Sequence, residues 1–221
     1  MTQTPDLKRA ATAAAETLVK HHVTSAPVAP LRILKATPGV IVLSFTEMAE
    51  EIGINRGELL GRYNGMNKDA FTVVKEIDGN LRYIVLYNLL LPEFLLQRAI
   101  ARELGHIVLG HDGSRPEEVR TMEAMFFARH LLCPRPLIRA VQEAGIPITI
   151  ETLGLITGCY ERCLIGMQKS HGVHVAPELN AMLREQFAPY VQNFADCRAI
   201  LTVNDDSALV NFGSYMDNYE E

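Results

Sequence analysis

At 221 residues the chain is one large domain, or one domain with a small appendage. Hydrophobic residues at 48% and charged residues at 21% set an ordinary globular balance, which excludes a disordered or fibrous chain. All 21 Lys and Arg and 21 of the 26 acids precede residue 199, so the formal charge of −5 resides in the last 23 residues. A neutral body argues against a general nucleic-acid binder, which shows a basic face.

The elements follow in order. Residues 5–22 are Ala-rich with helical spacing and end before Pro27 and Pro30. PGVIVLSF at 38–45 is apolar and rich in β-branched residues, which predicts a strand. One or two helical turns follow over 46–52, with Thr46 as cap, and then a loop rich in Gly and Asn through Asn67. FTVVKEI and LRYIVLYN flank Asp78-Gly79-Asn80, a hairpin signal. Pro92 opens a helix that runs to about Leu109 and stops at Gly110. Pro116 and the acids after it open another, closed before Pro134. Residues 134–198 read as mostly helical, and 202–221 as loop or one short strand. Helix, small sheet, then helices is the order of an α+β domain with a helical extension.

No stretch reads as a membrane span. The most apolar segment, YIVLYNLLLPEFLL at 83–96, is short and is broken by Asn88, Pro92 and Glu93. The Ala-rich N-terminus contains Glu16 and has no compact apolar core, so no signal peptide is expected and the expected location is cytoplasmic. There the four cysteines (Cys133, Cys159, Cys163 and Cys197) are expected as reduced thiols.

The informative segment is QRAIARELGHIVLGHDG, residues 97–113. Glu103 and His106 are three apart and share a helix face. A His at position 102 would complete H-E-x-x-H, in which two histidines bind Zn²⁺ and the glutamate activates the bound water. Arg102 stands there instead. Arginine stays protonated and cannot coordinate a metal.

Taken with the following E-A-M-F-F-A-R-H-L-L-C-P (residues 123–134), R-E-L-G-H-I-V-L-G-H is similar to the ImmA/IrrE family of zinc metallopeptidases. That family's pattern is H-E-L-G-H followed by E-A-N-x-F-A-x-x-L-L-x-P. APVAPLRILKATPGVIV resembles its entry segment, and YIVLYNLLLPEFLLQRAIARELGH its strand-loop-helix approach to the metal site. The resemblance spans roughly residues 10–170. It implies a zincin-like fold in which Glu103 is the catalytic glutamate, His106 the second histidine ligand and Glu123 the third ligand. Two positions depart from the pattern: Arg102 replaces the first ligand and Met125 replaces the Asn. Two ligands beside a permanent cation do not make a catalytic zinc site, which takes three protein ligands and a water.

Weak or absent zinc is therefore expected. Glu103, His106 and Glu123 should converge on one cleft. Arg102 should reach into the old metal position and pair with Glu123, cross-linking two helices. Restoring His at position 102 should then restore zinc binding.

The remaining candidates carry less. His111, just past the helix end, is not counted as a ligand. His130 lies two turns beyond Glu123, too far to share a metal. Cys159, Cys163, His171 and His174 have a gap shorter than zinc-finger spacing and read as thiols and loop histidines. Segment 148–170 has a helix-turn-helix rhythm, but its charges nearly cancel, so packing or partner binding is preferred to DNA reading.

The expected architecture is α+β. An N-terminal helix and linker fill 1–29, a zincin-like domain with a small sheet and a central active-site helix fills 30–145, a helical extension covers 146–198, and an acidic tail covers 199–221. Two functions stay open. One is a degenerate member that binds a protein partner, such as a helix-turn-helix repressor, without cleaving it. The other is an active zinc endopeptidase with an altered ligand set, acting on such a repressor.

Overall fold

The computed structural model describes residues 4–63, 69–77, 80–159, 161–168 and 173–201. In chain order the elements are α1 (Leu7–Lys20), α2 (Pro30–Lys35), β1 (Val40–Ser44), α3 (Phe45–Glu51), α4 (Arg56–Arg62), β2 (Ala70–Ile77), β3 (Asn80–Tyr87), α5 (Glu93–Val108), α6 (Glu117–Leu132), α7 (Arg135–Glu143), α8 (Ile150–Thr157), α9 (Glu161–Gln168) and α10 (Pro177–Leu201). This is an α+β chain, as expected. Among the described residues no helix is long and apolar enough to cross a membrane.

The chain divides into two compact units. The first comprises residues 1–6 and 29–128, and the second residues 7–28 and 129–221. The first unit thus closes before residue 145, the boundary expected from the sequence.

The first unit is built on a three-stranded sheet of order β1-β3-β2. β1 runs parallel to β3, and β2 antiparallel to it. Phe71 pairs with Leu86 and Val73 with Ile84. These four belong to one apolar cluster with Phe45, Ala49 and Leu59 from α3 and α4. The alternate residues Ala70, Thr72, Val85 and Tyr87 fall on the other face, because side chains alternate along a strand. That face meets α5, which packs on β2 and β3 as well as on α2. Val85 and Leu86 are both fully buried, as a central strand covered on two sides requires.

Two local expectations are corrected. The cap of α3 is Ser44, not Thr46: its hydroxyl accepts from the Glu47 amide, and the Glu47 carboxylate accepts from the Ser44 amide, a reciprocal capping box. The segment read as a Gly- and Asn-rich loop contains α4, capped by Asn55 and anchored by the fully buried Leu59. The β2–β3 pairing expected around Asp78 and Gly79 is present; those two residues lie outside the described ones, as does the tail 202–221.

The second unit is helical. Buried residues of α1 (Ala10, Ala11, Ala14 and Leu18), of α7 (Leu137 and Val141) and of α10 (Leu183, Phe187 and Val191) supply its core. α10 packs on both α7 and α1. The Gln186 amide donates to the Leu18 and Val23 carbonyls, closing the end of α1. The helix-turn-helix rhythm is present as α8 and α9, separated by Gly158 at φ +66°. Cys133 is buried, and the Cys159 thiol donates toward the Leu132 carbonyl at 3.8 Å. The Cys163 side chain and His171 lie outside the described set.

Candidate functional site

Helix α5 places Glu103 and His106 on the face toward the sheet and α6. Gly105 lies between them, and α6 comes so close there that a Cβ would meet Phe127 Cδ1 at 2.9 Å and the Ala124 carbonyl at 3.1 Å. Only glycine fits this crossing, which brings Glu123 of α6 toward the end of α5.

The end of α5 is where the site is made. Gly110 adopts φ +63°, its amide donates to the Ile107 carbonyl at 3.0 Å, and the His111 amide donates to the His106 carbonyl at 3.0 Å. This paired closure is the Schellman arrangement, which brings the second residue past the cap back against the last helical turn. An apolar contact usually completes it; here the contact is His106 with His111. Their rings meet edge-on, with Nδ1 to Nδ1 at 2.9 Å. The other nitrogen of His111, Nε2, lies 3.0 Å from Glu123 Oε2. His111, not counted as a site residue from sequence, thus joins His106 to Glu123, and its side chain is only 2% exposed.

Glu123 is the most heavily engaged group. Its Oε1 accepts from the Asp6 amide at 2.6 Å, and its Oε2 also accepts from Arg115 Nη1 at 2.8 Å. Burial acts to raise its pKa; the Asp6 amide, His111 ring and Arg115 guanidinium outweigh that and hold it below the ordinary carboxylate value. Arg115 Nη2 reaches further, to the Thr4 carbonyl at 3.3 Å, while Arg120 Nε holds the Arg115 carbonyl at 3.0 Å.

Arg102 does not pair with Glu123, and this corrects the expected cross-link. Its Nε and Nη2 both donate to Glu103 Oε1, at 3.0 and 2.8 Å, and Nη2 also donates to the Ala70 carbonyl at 2.8 Å. Two acceptors draw it there. One is Glu103, a carboxylate only 4% exposed, and the other is the β2 main chain at Ala70, which lies over α5. Glu103 Oε2 accepts from the Thr72 hydroxyl at 2.8 Å, so both its oxygens are occupied. Even so, burial outweighs Arg102 and Thr72 and leaves the Glu103 pKa above the ordinary value.

Burial, together with the His111, Arg102 and Arg120 charges, pushes His106 down to about 4, so it is neutral near pH 7. His111 is lowered too, because burial outweighs its bond to Glu123.

This arrangement does not fit the zinc ion of the resembling family. Catalytic zinc takes three protein ligands at roughly 2.0–2.2 Å. His111 turns one nitrogen to His106 and the opposite one to Glu123, so one ion cannot occupy both contacts. Arg102 supplies no ligand and adds positive charge beside His106. Among the described residues no group of three His, Cys, Asp or Glu is arranged to hold a metal.

Arg102, Glu103, His106 and Glu123, the residues expected from sequence, all lie in this one region. His111, Arg115 and the backbone of residues 4–6 join them without having been expected. Gly110 is the sequence signal for His111; nothing local marks the other two. No known protein family, curated protein or solved structure matches the chain.

Proposed function

We propose that the chain is a zincin-like, non-cleaving relative of the ImmA/IrrE metallopeptidases that binds a protein partner in the cytoplasm, such as a helix-turn-helix repressor. The observation that carries this is the state of Glu103. In a zincin the equivalent glutamate must take a proton from water. Here its Oε1 takes two donors from Arg102, its Oε2 takes the Thr72 hydroxyl, and the carboxylate is almost fully buried, so it is tied to the protein rather than held ready for a water. Glu123 is likewise turned from a ligand into the acceptor of three donors. What remains is a buried polar cluster whose members hold one another, with Arg115 about one quarter exposed at its edge.

One observation supports the second reading, an active zinc endopeptidase with an altered ligand set. His111 adds a ring nitrogen beside His106, which a modest ring rotation would turn into a two-histidine site. Zinc titration and a cleavage assay on a helix-turn-helix repressor separate the two. The expected result is substoichiometric zinc in the purified protein and a complex in which the repressor stays intact. One tightly held zinc per chain, with cleavage abolished by Glu103→Gln, would overturn the proposal.

A further inference from the structure

The contacts around Glu123 have a pattern beyond charge compensation. Arg115 and Glu123 are locked to each other at 2.8 Å, with Glu123 almost fully buried and Arg115 about one quarter exposed. Each also engages the main chain of the segment just before α1. Arg115 Nη2 donates to the Thr4 carbonyl, and Glu123 Oε1 accepts from the Asp6 amide. The carbonyl of one residue and the amide of the residue two further on project to the same side of an extended backbone. Pro5 lies between them, offers no amide hydrogen and favours the extended conformation. His111 braces Glu123 from behind through Oε2, which leaves Oε1 aimed at the amide.

We propose that Arg115 and Glu123 form a two-point receptor for an extended peptide main chain, filled in cis by residues 4–6, and that the protein's partner docks by displacing them with an extended segment of its own. This rests on the partner-binding reading above and specifies its chemistry. Neither hydrogen bond uses a side chain of the occupant. Recognition therefore tolerates sequence, with one exclusion: the second contacted residue cannot be proline, which has no amide hydrogen. A tethered occupant acts at an effective concentration in the millimolar range, so the cis segment holds the receptor closed to weak peptides.

The test uses the full-length chain, ¹⁵N-labelled, and an acetylated and amidated peptide spanning residues 3–8. Asp6→Pro removes the donating amide while keeping the tether, and proline is tolerated at a helix start. Asp6→Asn keeps the amide and a capping side chain of the same size. Peptide titration should shift the Arg115 side-chain and Glu123 amide resonances in Asp6→Pro at a peptide concentration at least about tenfold lower than in the wild type. Asp6→Asn should behave as wild type, and Asp6→Pro/Arg115→Ala should lose the response. An Asp6→Pro protein no more responsive than wild type, or a double variant that still responds, would overturn the receptor.

A measurement without variants stands beside this. The wild-type Asp6 amide should exchange with solvent at least about tenfold more slowly than in the free peptide; exchange at the free rate would equally overturn the proposal. The repressor-cleavage assay reads the non-cleaving assignment separately, since it turns on Glu103, which makes its contacts with Arg102 and Thr72 and not with residues 4–6.

Discussion

Replacing Gly105 by alanine tests the crossing that assembles the site. In an unconstrained helix the change is favourable by about 1 kcal/mol, because glycine loses more backbone entropy. At this position the new Cβ would lie 2.9 Å from Phe127 Cδ1, 3.1 Å from the Ala124 carbonyl oxygen and 3.2 Å from the Ala124 Cα. Carbon atoms rest at about 3.5–4.0 Å, so α5 and α6 must part by several tenths of an ångström. Neither neighbour yields easily: Phe127 is fully buried and the Ala124 atoms are main chain. Overpacking costs about 1–3 kcal/mol, and contact with main-chain atoms and a fully buried ring puts this site at about 2–3; with the helical gain of about 1 subtracted, a net loss of about 1–2 kcal/mol is expected. Thermal unfolding followed by circular dichroism should show a Tm lowered by about 2–8 °C, at about 2–4 °C per kcal/mol for a chain of this size. Gly61→Ala is the internal comparison. It sits in α4, where an added Cβ would meet nothing within 4 Å, and should raise Tm by about 2–4 °C. A Gly105→Ala protein as stable as the wild type, or stabilised like Gly61→Ala, would refute the close crossing and the convergence of Glu123 on the α5 residues.

Two further outcomes follow from the charges. His130 is 5% exposed, and burial, with the Arg135 and Arg129 charges, pushes it down to about 3. The folded state therefore binds fewer protons than the unfolded one. The stability is fully present above the unfolded pKa near 6.5 and is lost as pH falls toward 3, at about 1.4 kcal/mol per pH unit. His106 acts in the same direction down to about 4, whereas Glu103, raised by burial, acts in the opposite one. Urea unfolding at pH 7 and pH 5 should differ by about 2 kcal/mol on account of His130 alone; an identical difference in His130→Gln would refute its part. Arg102→His, which on sequence grounds should rebuild the zinc site, should instead change zinc affinity less than about tenfold, because Glu123 stays engaged with Asp6, His111 and Arg115. A one-to-one zinc complex of submicromolar Kd in that single variant would show that Glu123 is freely released.

The features legible in the sequence are those fixed within a few residues. Pro92 and Gly110 bound α5, Pro116 precedes α6, and the alternation in β2 and β3 sets which residues meet α5, because proline, left-handed glycine and strand pleating act locally. α4 is hidden because Gly57 and Gly61 lower its intrinsic propensity, and burial of Leu59 supplies what propensity lacks. The partner of Arg102 is hidden for a similar reason. Its helical position is legible, but the choice between two carboxylates depends on Ala70, which is 32 residues away and reaches α5 only once β2 has paired with β3. From that choice the rest of the site follows. With Arg102 committed to Glu103 and the sheet, Glu123 is a buried carboxylate that needs its own donors, since an uncompensated buried charge costs several kcal/mol. The connection after α5 supplies them. Gly110 turns the chain back, so His111 arrives at Oε2 from the helix end and Arg115 reaches the same oxygen with Nη1. Oε1 is left to an amide donor, and the Asp6 main chain meets it. The substitution at position 102 and the backbone contact at residues 4–6 are thus two ends of one chain of compensation, joined by a glycine whose left-handed φ is visible only as a Leu-Gly-His triplet in the sequence.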